Sequence, residues 1–224
     1  MKSIALLGGL VLLSLCGTAH ADDVEALKAA VSKLAEASGY SWTHTLVNPK
    51  NRTGVEGKTQ KEGATWVVSK GTSGTNEWVR KGDRRVLKTA EGWKTTTTAD
   101  SGDVFRPQAP PTETALGFIA AIKEVKAGAA GFYSGELLEA QTKEIIHPGG
   151  SKPPESGGIA NAKGTIKFWV KDGVLTRLEA RLTGHSTVGK SKMEIDHDKN
   201  ITIEVKDIGS VKIDLPAEAA KLLE

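Results

Sequence analysis

The stretch Ile166-Lys167-Phe168-Trp169-Val170-Lys171-Asp172-Gly173-Val174-Leu175-Thr176-Arg177-Leu178 decides the fold. Apolar and polar residues alternate on both sides of Asp172-Gly173, the pattern of two antiparallel strands joined by a tight turn. A two-residue Asp-Gly turn would oppose Phe168 to Arg177 and Lys167 to Leu178. A three-residue loop, Lys171-Asp172-Gly173 with Gly173 left-handed, opposes Val170 to Val174 and Ile166 to Leu178. It keeps one face apolar, so the sequence favours it. The same reasoning at Asp207-Ile208-Gly209 pairs Val205 with Val211 and Ile203 with Ile213.

Working outward, residues 40–98 keep the period of two. Short runs rich in Thr, Val and Trp are cut by turn signals such as Asn48-Pro49, Gly82-Asp83 and Ala90-Glu91-Gly92, which predicts an antiparallel meander. Helices flank the strands. Val24, Leu27, Val31 and Leu34 form one stripe over 23–37. Thr112 is placed to cap a helix over 113–126, with Leu116, Ile119, Ile122 and Val125 facing inward. A short strand and a short helix near 138–147 follow. Strands then run to Leu215, and Pro216 opens a terminal helix at a position where proline is tolerated. Two loops rich in proline, one with Pro107, Pro110 and Pro111 and one over 147–158, are bordered by structured segments. The sequence therefore reads as one domain over 22–224.

Residues 1–21 read as a secretory signal. Lys2 supplies the positive start. The apolar run over 4–16 is shorter than the ~20 residues a bilayer span needs. Ala19-His20-Ala21 is a small-x-small cleavage site. Cys16 could carry a lipid in a bacterial lipobox, but Leu15 is bulky where that signal takes a small residue. The expected location is periplasmic or extracellular. Cys16 is the only cysteine, so cleavage leaves a chain without disulfides, held by its core. The full chain has 224 residues, 38% of them hydrophobic and 25% charged, with a net charge of +3. This composition argues against a helical membrane protein and does not favour nucleic acid as a partner, which calls for a clustered basic excess.

Few motifs carry chemistry. Residues 184–191 match the phosphate-loop pattern G-x-x-x-x-G-K-S letter for letter, but an alternating strand precedes and another follows, where that loop needs a parallel strand and a helix. A glycine-rich turn that binds no nucleotide is expected. Asp196-His197-Asp198 reads as an exposed strand end more readily than as a cation site. No serine-nucleophile motif or patterned acid–base pair appears, so no catalytic, cofactor or metal residue is assigned.

Arg80, Lys81, Arg84, Arg85 and Lys88 surround one hairpin turn. They read either as a solvated turn whose charges discourage edge pairing, or as a dock for anionic headgroups or an acidic partner through Arg80, Arg84 and Arg85. A two-residue turn at Gly82-Asp83 opposes Trp78 to Leu87 and Val79 to Val86. A three-residue loop at 90–92 opposes Leu87 to Thr95 and Thr89 to Trp93. Trp78, Leu87 and Trp93 then share one face, while Val79 and Val86 share the other. Either helices or loops cover both faces, or the Trp-bearing face lines an apolar hollow.

Residues 163–175 (KGTIKFWVKDGVL), residues 207–219 (DIGSVKIDLPAEA) and the order helix, meander, helix, long C-terminal sheet carry a family likeness. Together they resemble poorly characterised secreted bacterial proteins and, more remotely, the lipoprotein-carrier superfamily of LolA, LolB and the LprG-like lipoproteins. The resemblance implies an α+β fold: a strongly curved antiparallel sheet forming a half-open barrel, with helices packed on its concave side. It implies a non-catalytic protein that binds a lipid or other apolar ligand, with Trp78, Leu87 and Trp93 as lining. The membrane surface is a further partner on this reading. A cell-envelope scaffold with a filled core is the alternative, and a hydrolase the more distant one.

Overall fold

The fold is taken from a computed structural model, which describes residues 19–61, 63–71, 74–96, 109–146, 158–188 and 192–224. Most of the expected leader (1–18), most of the two stretches expected to be Pro-rich loops (97–108 and 147–157) and the expected glycine-rich turn at 189–191 lie outside the described residues.

The elements follow in the order α1 (Ala19–Ala35), β1 (Gly39–Val47), β2 (Arg52–Gln60), β3 (Ala64–Gly71), β4 (Gly74–Lys81), β5 (Arg84–Thr89), β6 (Gly92–Thr96), α2 (Pro111–Ala121), β7 (Ile122–Ala127), β8 (Phe132–Leu137), α3 (Glu139–Ile146), β9 (Ala160–Lys171), β10 (Val174–Val188), β11 (Met193–Lys206) and α4 (Ala217–Leu222). The strands form one antiparallel sheet of 11 strands, ordered β6-β5-β4-β3-β2-β1-β11-β10-β9-β8-β7. β6 and β7 are its two free edges, so the sheet is open. This is the α+β architecture expected from the sequence. It consists of two meanders joined where the first strand pairs with the last.

Alternation sorts the side chains onto two faces. The inner face carries Tyr40, Trp42 and His44 from β1, Ile201, Ile203 and Val205 from β11, Leu178, Ala180 and Leu182 from β10, and Ile166 and Phe168 from β9, all buried. Helices cover this face. The predicted stripe of α1 places Leu27, Val31 and Leu34 in the core, and α1 packs on α2, β10 and β7. Each such side chain contributes about 1.5–3 kcal/mol by leaving water. α3 lies on β9 and β10. The terminal helix α4 departs from the expectation that helices occupy only one side. Its Ala219 and Leu223, just past its end, join Val79 and Val86 in a separate cluster on the outer face.

Three local expectations are corrected. The β9–β10 turn has two residues, because Val174 pairs with Lys171 and both Asp172 and Gly173 hold positive φ. The clash of faces that argued against this turn is removed by a bulge between Leu175 and Arg177. Beyond it Phe168 faces Leu178 and Ile166 faces Ala180. Residues 207–213 do not return as a hairpin strand, because β11 already has β1 on one edge and β10 on the other. Gly209 holds positive φ as expected, but its N–H donates to the carbonyl of Gly39, 2.7 Å away. The second helix stops at Ala121, so Ile122 and Val125 lie in β7 and Leu116 is exposed, while Thr114, Ala115 and Phe118 are buried instead. Pro110, not Thr112, stands at its N-cap.

Gly173→Val is expected to cost about 1–3 kcal/mol, because φ there is +74° and a β-branched residue is strained in that region. Urea unfolding of the variant checks this, and an unchanged midpoint would mean that the turn is of another type.

Candidate functional site

The inner face of β1–β6 is built in rows that run across the strands. One row is Trp42, Gly57, Val67, Trp78, Leu87 and Lys94, each directly opposite the next. It is apolar until its last member. The next row is Tyr40, Thr59, Thr65, Arg80, Arg85 and Thr96, polar throughout and basic at one end. An apolar floor therefore borders directly on a hydroxyl- and guanidinium-bearing strip.

Arg80 and Arg85 are cross-strand partners on one face, an arrangement that destabilises a hairpin unless each charge is answered. Arg80 is answered by Glu113 in the first turn of α2, with which it forms a two-pronged ion pair. This contact also fixes α2 over the strip. The Arg85 guanidinium lies 4.4 Å from the centre of the Trp78 ring, a cation–π contact. The Tyr40 hydroxyl lies toward Thr59 and Thr112 but outside hydrogen-bond geometry, and burial raises its pKa.

Three further groups on this face are buried with no hydrogen-bond partner among the described residues. They are Trp78 Nε1, the Thr96 hydroxyl and the imidazole of His44 at both ring nitrogens. His44 is 1% exposed between Val55 of β2 and Ile203 of β11. Burial pushes its imidazole down to about 4, so it is neutral at physiological pH. Alternation along β1 puts His44 on the same face as Tyr40 and Trp42. Nothing in the sequence said that it would lack a partner.

The expected pairing of Trp78 with Leu87 and of Val79 with Val86 is present. Trp93 is not on the Trp78 face. Lys88, not Thr89, pairs with Trp93, and the turn is the two-residue Ala90-Glu91. The Thr89 hydroxyl closes that turn by donating to the Gly92 carbonyl and accepting from the Glu91 N–H. One residue of register reverses every side chain, so Trp93 packs on the outer-face cluster with Val79, Val86 and Trp66. The basic cluster is divided in the same way. Arg80 and Arg85 point inward. Arg84 is exposed opposite Lys81 at the turn, and Lys88 pairs with Glu77 at 2.8 Å on the outer face.

The other sequence motifs resolve as strands. Val188 pairs with Met193, so an antiparallel strand and not a helix follows the glycine-rich segment. Alternation separates the members of Asp196-His197-Asp198. Asp196 meets His185, Asp198 meets Arg181, and His197 turns to the other face, 2.8 Å from the Ser186 hydroxyl. Among the described residues no group of three or more potential ligands converges on one point. No helix of the described residues is long and apolar enough to cross a membrane.

No family model matches the chain, and no curated protein matches it either. Among solved structures it is remotely similar to LprF from Mycobacterium bovis, at 12% identity over 91% of this chain and 100% of that one, with a TM-score of 0.46. It is also similar to a LolA-superfamily protein from Nitrosomonas europaea, at 9% identity over 89% of this chain and 96% of that one, with a TM-score of 0.36.

Proposed function

We propose that the chain is an exported, non-catalytic protein that holds a lipid or other apolar ligand against the inner face of β1–β6. The observation that carries this reading is the order of the two rows. Trp78 and Leu87 offer apolar surface, and Arg80 and Arg85 stand one residue pair further along the same strands. An amphiphile has the same order, with hydrocarbon next to an anionic head. Arg84 and Lys81, exposed at the adjoining turn, would meet the headgroup layer of a membrane from which such a ligand is taken. A scaffold role has its own support, because Leu27, Val31, Leu34 and Phe118 already fill the side of this face near α1 and α2.

Native mass spectrometry after mild purification separates the two readings, since a bound lipid favours the first. Titration with fatty acid and with phosphatidylglycerol is expected to raise the melting temperature and shift tryptophan emission. Leu87→Arg should abolish both effects, while Trp93→Phe on the opposite face should leave them unchanged. Absence of any shift in the parent protein would leave the scaffold reading in place.

A further inference from the structure

β7 ends the sheet, so one side of its backbone has no strand beside it among the described residues. Just past its end the Gly128 N–H donates to the Phe132 carbonyl at 2.7 Å, toward β8. Backbone groups alternate along a strand, so those of Glu124 and Lys126 also point to β8, while those of Val125 and Ala127 point out of the sheet. The Ala127 N–H is answered there by the Asp23 carboxylate of α1 at 3.3 Å. The Val125 backbone has no hydrogen-bond partner on that side among the described residues.

Side chains alternate as well. Val125 is buried on the inner face, where α1 contacts β7. Glu124 and Lys126 are exposed on the outer face, with 3.7 Å between carboxylate and ammonium. The ladder shifts between Ile122 and Glu124, so Lys123 stands at the irregular end of the strand. Lysines at a sheet edge discourage the addition of an arbitrary strand. Here they alternate with a carboxylate in an order that the same strand, turned round, satisfies.

In antiparallel pairing, directly opposite residues point the same way, so a two-fold axis passes through a residue and not between two. An axis at Glu124 or at Lys126 sets like charges face to face, which destabilises the pair. An axis at Val125 sets Glu124 against Lys126 of a second copy, and Lys126 against Glu124 of that copy. The Val125 N–H and C=O then meet the same two groups of the second copy. Lys123 of the second copy arrives opposite Ala127, where the Asp23 carboxylate stands.

We propose that β7 is a dimerisation edge, at which two copies of the chain join antiparallel about Val125 into one continuous sheet. The two cross-strand ion pairs lie on the outer face and the two Val125 side chains on the inner one. A strand of another sequence would leave the lysines and the glutamate unanswered, so the same charges that reject other strands select this one. The contact uses no residue of β1–β6, and so stands independently of the lipid reading.

Sedimentation velocity of the purified chain is expected to show a monomer–dimer equilibrium by about 100 μM. Glu124→Lys alone and Lys126→Glu alone should each weaken association about tenfold or more, since each sets like charges opposite one another twice. An equimolar mixture of the two variants should recover it, because one then carries only lysines where the other carries only glutamates. Recovery in the mixture also shows that both variants are folded. Lys94→Glu on β6, the opposite edge of the sheet, should leave the equilibrium unchanged. Four results would overturn the proposal: a monomer throughout that range, a dimer that neither β7 variant weakens, variants that stay apart when mixed, or a dimer lost in Lys94→Glu alone. A monomer would leave the lipid reading intact, and failure of the lipid titration would leave this edge standing.

Discussion

Gly57→Val is expected to destabilise the protein by about 3–5 kcal/mol, the cost of losing a large buried aromatic. A Cβ on Gly57 would lie 2.2 Å from Cε2 and Cζ2 of Trp42, inside the van der Waals limit. The indole of Trp42 lies over Gly57 on the inner face, is 1% exposed, and donates from Nε1 to the Thr59 hydroxyl at 3.0 Å. Room for a valine comes only by moving that ring, which gives up its burial and its hydrogen bond together. Typical stabilities are about 5–15 kcal/mol, so this is a large share of the total. A fall in melting temperature of roughly 10 °C is expected. The cause is identified by a double-mutant cycle: in a Trp42→Ala background most of the Gly57→Val penalty should disappear. A Gly57→Val variant that melts within about a degree of the parent would mean that the ring lies elsewhere.

The second large effect depends on acidity. His44 has its pKa lowered to about 4 from an ordinary 6.5 by burial. Between those values the unfolded chain binds a proton that the folded chain does not. Stability from this group is therefore complete above pH 6.5 and is lost as pH falls toward 4. At 1.36 kcal/mol per pKa unit the loss is about 3 kcal/mol. His44→Leu removes the titrating group and should flatten the stability profile between pH 6.5 and 4. Urea unfolding of both proteins at several pH values measures it, and parallel profiles would show that His44 is not the source.

Much of the order of elements is legible because it rests on local chemistry, although β7 reads as the end of a helix and 207–213 as a strand. The stripe of Val24, Leu27, Val31 and Leu34, the Gly82-Asp83 turn and Pro216 before the last helix all act within a few residues. Register was less legible. With unbroken strands only the longer loop keeps 166–178 apolar on one face, whereas the chain combines the shorter turn with a bulge at Thr176 and so keeps the apolar face. Trp93 stands one residue away from the register its sequence suggests, since the Thr89 hydroxyl that shortens its turn leaves no mark in a hydropathy pattern. The 207–213 segment departs from its pattern for a different reason. Its alternation suits a strand, but both edges of β11 are taken by partners far away in sequence. Of the candidate site, the Trp78–Leu87 pair and the presence of arginines were readable. The ion pair of Arg80 with Glu113 was not, because it spans 33 positions and depends on where α2 lands.

The pairing of β1 with β11 has a consequence for how the chain is made. Each of the two meanders is assembled from neighbours in sequence, so its strands find partners as soon as they emerge. β1 is the exception. It has β2 on one side from the start, but its other edge from Ser41 to Val47 waits for residues 200–206 of β11, the last of the eleven strands to be synthesised. Until then a row of backbone donors and acceptors beside Trp42 and Leu46 stands open, a template on which another chain could add a strand. A ribosome that stalls before β11 thus releases a molecule with its central seam unclosed, and the burden of shielding that seam falls on whatever holds the nascent chain.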